Sequence, residues 1–106
     1  MNRVIKFRAW DSIEKEMIEW EELINWPDAH NIFLDVAPWD RYTPLQFTGF
    51  IDNKVKDIYE DDVIYLAGYG NCLVVFPFTD LYDAVYENGV GEIKGNIHEN
   101  PELLEK

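Results

Sequence analysis

The chain has 106 residues, the span of one ordinary domain, with room for a single core and too little for two. Hydrophobic residues make up 47% and aromatic residues 15% of it, which is enough apolar area to offset chain entropy and excludes wholesale disorder. Nine basic against 21 acidic side chains leave a formal net charge of -12, which repels phosphate backbones and anionic lipid surfaces and argues against direct duplex binding.

In chain order, residues 3 to 10 alternate, with Ile5, Phe7 and Ala9 on one face and Lys6 and Arg8 on the other, and predict a first strand. Arg3, Lys6 and Arg8 give that strand a positive outward face, expected to sit against acidic neighbours of the same chain. A polar connection from Asp11 leads to Met17, Ile18 and Trp20, which predict a return strand and so an N-terminal hairpin. Residues 21–44 form a loop-rich, variable stretch. Glu21 to Trp26 allows one helical turn and Ile32-Phe-Leu a short strand, while Pro27, Pro38 and Pro44 argue against long regular elements.

From Leu45 the alternation returns, with Leu45, Phe47 and Gly49 on one side and Gln46, Thr48 and Phe50 on the other. Asp52-Asn53 supplies turn chemistry, Ile58, Val63 and Tyr65 continue the core, and Glu60, Asp61 and Asp62 make a solvated corner. Further strands are predicted at 63–66, 72–76 and 93–98, with a weaker one at 82–86, separated by turns at Gly68-Tyr-Gly-Asn and Glu87-Asn-Gly. Asn100, with Pro101 at the first position, begins a short helical turn that needs Leu103 and Leu104 to pack if it is to persist. The expected fold is mainly β: a small antiparallel, strongly bent sheet or SH3-like barrel with an N-terminal hairpin, a loop-rich middle and a short C-terminal helical turn.

Lys6-Phe-Arg-Ala-Trp-Asp11, then Gln46-Phe-Thr-Gly49 with Ile58-Tyr-Glu-Asp-Asp-Val-Ile64, then Gly95-Asn-Ile-His-Glu-Asn-Pro-Glu-Leu-Leu104 occur in this order and span nearly the whole chain. In these motifs the chain resembles the YopX family of phage and prophage proteins. The resemblance implies one YopX-like domain over residues 1–106, mostly β, with a later half like a small SH3-like barrel. It carries no activity. Phe7, Trp10, Asp11, Gln46, Thr48, Gly49, Ile58, Tyr59, Gly95, Asn96, Asn100 and Pro101 are the residues it marks as structural. Asp61 stands where the family usually has glycine, and Asp is among the few residues that tolerate the left-handed conformation, so the turn should survive.

Glu60, Asp61 and Asp62 are clustered carboxylates of the kind that bind hard cations, and they are candidate binding residues. Consecutive residues on extended chain point to alternate faces, however, and the segment lacks calcium-loop spacing, so no metal site is expected. His30 and His98 with the single Cys72 offer no zinc spacing, and Cys72 lies in an apolar run that would leave its thiol inert. His98, beside Glu99, reads as a structural imidazole, and Ser12 has no nucleophile elbow around it. No catalytic residue and no cofactor is expected. Trp10, Trp20, Trp26, Trp39, Phe33 and Tyr42 crowd the N-terminal part; at least half should serve the core, and Trp26, Phe33, Trp39 and Tyr42 are candidate anchors of a protein interface.

The function expected is that of a non-enzymatic, phage-derived accessory protein of the bacterial cytoplasm. Its partner would be a basic protein, and homo-oligomers are expected. The lone cysteine suits a reducing compartment, and no apolar run approaches the roughly 20 residues that cross a bilayer. The alternative is a small metal-dependent hydrolase or nuclease accessory that uses the carboxylates around Glu60.

Overall fold

The computed structural model describes residues 5–34, 41–78, 81–83 and 91–104. Four strands, β1 (Phe7–Asp11), β2 (Glu16–Ile18), β3 (Tyr42–Ile51) and β4 (Asp57–Tyr59), form one antiparallel sheet in the order β2-β1-β3-β4. Three more, β5 (Asp62–Leu66), β6 (Gly70–Leu73) and β7 (Glu92–Asn96), form a second in the order β6-β5-β7. The two make a mainly β, strongly curled antiparallel half-barrel with a few short helical segments, as the alternation predicts.

The β1–β2 connection is built on Asp11, whose buried carboxylate accepts the backbone N–H groups of Ile13 and Glu14 at 3.0 and 3.1 Å and pairs with Arg41 at 2.6 Å. After β2 comes the four-residue helix α1 (Trp20–Leu23), too short to stand alone and held by its buried Leu23. Ile32-Phe-Leu, expected as a strand, belongs instead to a 3-10 helix spanning Ala29–Leu34. The three-residue period explains the difference, because Ala29 and Ile32 then fall on one face and reach the core of Ala9, Ile18 and Leu23.

Pro44, expected to break regular structure, lies inside β3 opposite Ala9. There β3 has only β1 beside it, since pairing with β4 starts at Phe47, and a residue without an N–H is tolerated at such an edge. The strict alternation expected from Leu45 onward is broken by an irregularity between Phe47 and Ile51, so that Leu45 and Thr48 are both buried. Gly49 takes a φ of +95° there, and Thr48 donates its hydroxyl to the Ile58 carbonyl at 2.8 Å and accepts the Phe50 N–H at 3.1 Å. That is the structural reason for the Thr-Gly pair: one residue bridges the widened ladder and the other makes the bend.

A second core gathers Ile58, Ile64, Leu66, Val74, Phe78 and Leu81, with Cys72 partly buried against it. Tyr65, expected in the core with Val63, is exposed: Ile64 and Leu66 share the face of β5 that packs into the second core, and Tyr65 lies on the opposite face, which is covered at Val63 but not at Tyr65. The strand expected at 72–76 ends at Leu73, leaving Val75 and Phe76 exposed. Leu81–Asp83 is helical rather than extended, and the rest of the 82–86 segment, with the Glu87-Asn-Gly turn, lies outside the described residues. β7 stops at Asn96, whose side-chain oxygen accepts the N–H groups of His98 and Glu99 at 3.0 and 2.9 Å and turns the chain into a 3-10 helix, Pro101–Leu104. A Cβ on Gly95 would meet the Asn100 side-chain oxygen at 2.4 Å, so the motif needs glycine where that turn folds back on the strand.

Thr48→Val keeps the shape and removes both hydroxyl bonds. It should lower unfolding free energy by about 1–3 kcal/mol in urea denaturation. An unchanged midpoint would mean that the bridge is not made.

Candidate functional site

Lys6, just before β1, and Arg8 and Trp10 within it alternate onto one face, and each reaches across to the second half of the chain. Lys6 pairs with Asp57 at 2.5 Å and lies 4.6 Å over the Phe47 ring. Arg8 is buried, pairs with the buried Asp62 and lies 4.7 Å over the Tyr59 ring. Trp10 stacks on His98 at 5.3 Å, and His98 Nε2 sits 2.8 Å from an Asp61 oxygen. These cations do sit against acidic neighbours as expected. The face is not outward, however, because Arg8 and Trp10 are buried beneath the β4–β5 connection and the end of β7.

Asp62 is therefore no part of a solvated corner. Its second oxygen accepts the Tyr59 N–H at 2.8 Å, and its backbone carbonyl accepts Val74 N–H at 2.9 Å. Asp61 bends the chain between β4 and β5 with a φ of +68°, the left-handed conformation that Asp tolerates in place of glycine. Asp52 performs a similar service on the other side. Its carboxylate accepts the N–H groups of Lys54 and Lys56 at 2.9 and 2.8 Å and that of Ile93 at 3.1 Å, tying the β3–β4 turn to β7. Burial pushes the Asp52 carboxyl up, but these donors together outweigh it and hold it below the usual carboxylate range.

Between these ties lies a cleft of about 320 Å³ lined by Arg8, Glu19, Glu21, Lys56, Asp57, Tyr59, Asp62 and Ile93. Asp57 and Asp62 are committed to Lys6 and Arg8; Glu19 and Glu21 are in no ion pair with any described residue. The Glu19 carboxyl is raised by partial desolvation and, against the pull of Arg8, by the nearby charges of Glu21, Glu99 and Asp57. Tyr59 is buried, which raises its phenol above the usual value.

The three consecutive carboxylates diverge. Glu60 accepts the Gln46 N–H at 3.2 Å, Asp61 meets His98, and Asp62 meets Arg8. Among the described residues, no three His, Cys, Asp or Glu side chains group as a metal would require. Of the candidate aromatic anchors, Trp26 and Tyr42 pack edge to face at 5.4 Å against the first core. Phe33 is 46% exposed while touching Phe7, and Trp39 lies outside the described residues. Sequence reasoning missed Arg8 and Asp52 as site residues. Arg8 carries no local signal, since Asp62 lies 54 residues away; Asp52 is legible as a turn residue, but its tie to Ile93, 41 residues on, is not.

Burial pushes the Asp62 carboxyl from 3.8 up to about 6, with Arg8 and the Tyr59 N–H pulling the other way. The folded chain then holds this proton to higher pH than the unfolded chain, so stability falls as pH rises between those values. Asp11 is pushed up by burial but held low overall by Arg41 and two backbone donors, and it acts only below that window, as does Asp52. In urea denaturation from pH 4 to pH 7, the wild-type chain should lose stability with rising pH more steeply than Asp62→Asn. Parallel profiles would contradict the raised carboxyl.

Among the described residues, no helix is long and apolar enough to cross a membrane. No curated protein matches the chain. The crystal structure of protein EF1440 from Enterococcus faecalis is similar in fold, with a TM-score of 0.57 and 22% sequence identity over 98% of this chain and 100% of that one. The sequence model of the YopX protein family matches residues 6–105, and the chain belongs to the YopX family.

Proposed function

We propose that the chain is a non-enzymatic binding module, of phage origin and acting in the bacterial cytoplasm, whose partner is a basic protein. The observation that carries this is the net charge of -12, which favours encounter with a positively charged surface and disfavours nucleic acid and anionic lipid. The pairing pattern adds support. Most cations near the seam are already committed to carboxylates of the chain itself, while Glu19 and Glu21 remain available. Self-association is the second part of the proposal, supported by exposed apolar side chains at Phe33, Leu34, Val75 and Phe76.

Titration calorimetry of the full chain with a lysine- and arginine-rich peptide should give binding at low salt. The affinity should drop roughly tenfold or more between 50 and 300 mM salt, as Debye screening requires. No heat at low salt, or affinity indifferent to salt, would contradict the proposal. The same instrument addresses the alternative chemistry: magnesium, manganese or calcium at millimolar concentration should give no saturable heat, and a stoichiometric one would favour the metal-dependent hydrolase. Sedimentation should show a species larger than the monomer.

A further inference from the structure

We infer that the exposed β3–β4 turn, Lys54-Val55-Lys56, docks on a second copy of this chain, in a two-fold contact that brings the same turn of that copy back onto the first. The inference rests on the self-association proposed above and names its surface. Val55 carries it. Its φ is +63° and it is 77% exposed. The left-handed region is unfavourable for a β-branched residue, and glycine or asparagine would relax such a turn. The fold makes no use of the valine side chain, which belongs to neither core. The backbone beneath it is nevertheless held on several sides. Val55 N–H donates to the Asp52 carbonyl at 3.0 Å, the N–H groups of Lys54 and Lys56 donate to the buried Asp52 carboxylate, and Asn53 N–H donates to the Gly91 carbonyl at 3.1 Å. A strained turn, fixed by the structure around it, thus presents an apolar side chain to solvent, which is how a preorganised contact residue is built.

Charge identifies what covers it. The chain as a whole carries -12, yet the surface beside Val55 is cationic. Lys54 and Lys94 share the single carboxylate of Glu92, at 2.9 and 3.0 Å, and Lys56 makes no ion pair with a described residue. Lys6, Arg8 and Arg41, by contrast, each have a carboxylate of their own. A cationic island with an apolar centre fits an acidic surface, and a second copy of the chain supplies one. The island also lies beside its own complement. Lys56 lines the cleft from the turn, while Glu21 lines the same cleft from the first turn of α1, exposed and without a cation among the described residues. A patch that holds both signs side by side is self-complementary, as an isologous contact requires, so Lys56 of each copy meets Glu21 of the other. Ile93 gives the cleft an apolar lining against which Val55 of the other copy packs.

Sedimentation of the full chain over a roughly hundredfold range of concentration tests the contact. The wild-type chain should pass from monomer to dimer. Val55→Gly should raise the urea midpoint, because glycine relaxes the turn, and should weaken dimerisation roughly tenfold, because the apolar tip is gone. A variant that merely folded badly would lower the midpoint as well. Lys56→Glu and Glu21→Lys should each be monomeric, although the second makes the chain less acidic and would strengthen an association limited by net repulsion. Mixed in equal amounts, the two variants should dimerise again, since each then sets opposite charges against the other at both ends of the contact. If the wild type associates and the variants do so equally well, or if their mixture stays monomeric, this surface is wrong and self-association occurs elsewhere on the molecule. Open-ended growth in place of a dimer contradicts the two-fold arrangement. A wild-type chain that stays monomeric throughout overturns both this contact and the self-association on which it rests.

Discussion

The buried ion pair between Arg8 and Asp62 is the constraint around which the two sheets are arranged. A charge inside a protein is costly unless it is paired and hydrogen-bonded, and here the pairing is supplied from both halves of the chain at once, with Arg8 Nε left without a hydrogen bond among the described residues. Arg8 comes from the central part of the first sheet, Asp62 opens the first strand of the second, and Tyr59 between them gives a ring to one and an N–H to the other. Any shift of one sheet over the other would separate the charges while leaving them buried. The pair therefore fixes relative position more than it adds net stability, and the apolar clusters on either side supply the latter.

Around that point, β1 is covered on both faces. Ala9 and Phe7 meet the core that α1 and the 3-10 helix close, while Lys6, Arg8 and Trp10 meet the β4–β5 connection and the end of β7. The Trp10, His98 and Asp61 stack extends the seam, and it explains the histidine as a structural group that joins two elements. Asp52 closes the opposite end through three backbone donors. The cleft is what remains between these ties, so its lining is positioned by the same interactions that hold the fold. Its unpaired carboxylates are a consequence of which cations the seam has already used.

Much of this was legible in the residues. Alternation around Phe7, Leu45 and Val63 marked strands, and Asp11, Asp52 and Asn100 marked turns, because strand pleat and side-chain caps are local properties, whereas the strand expected to run on to His98 is ended by the Asn96 side chain. The left-handed Asp61 was legible through the YopX resemblance, because it stands where that family usually has glycine. What failed was long-range. Arg8 between apolar neighbours looks like any outward cation, and only its meeting with Asp62, 54 residues on, makes it internal. Pro44 was misjudged because an edge position is set by which strands pair, and Thr48 because a bulge resets the phase of everything after it. The cleft had no signature at all: Glu19, Tyr59 and Ile93 are unremarkable singly and meaningful only once the sheets have curled together.

The most direct test of this account is a double-mutant cycle on Arg8→Met and Asp62→Leu, read as unfolding free energy in urea at pH 7. Each single change leaves an unpaired buried charge and should cost about 3–5 kcal/mol, whereas the double variant, which buries neither charge, should recover a large part of that loss. Small and additive effects, as expected of two solvated surface residues, would show that the seam does not exist.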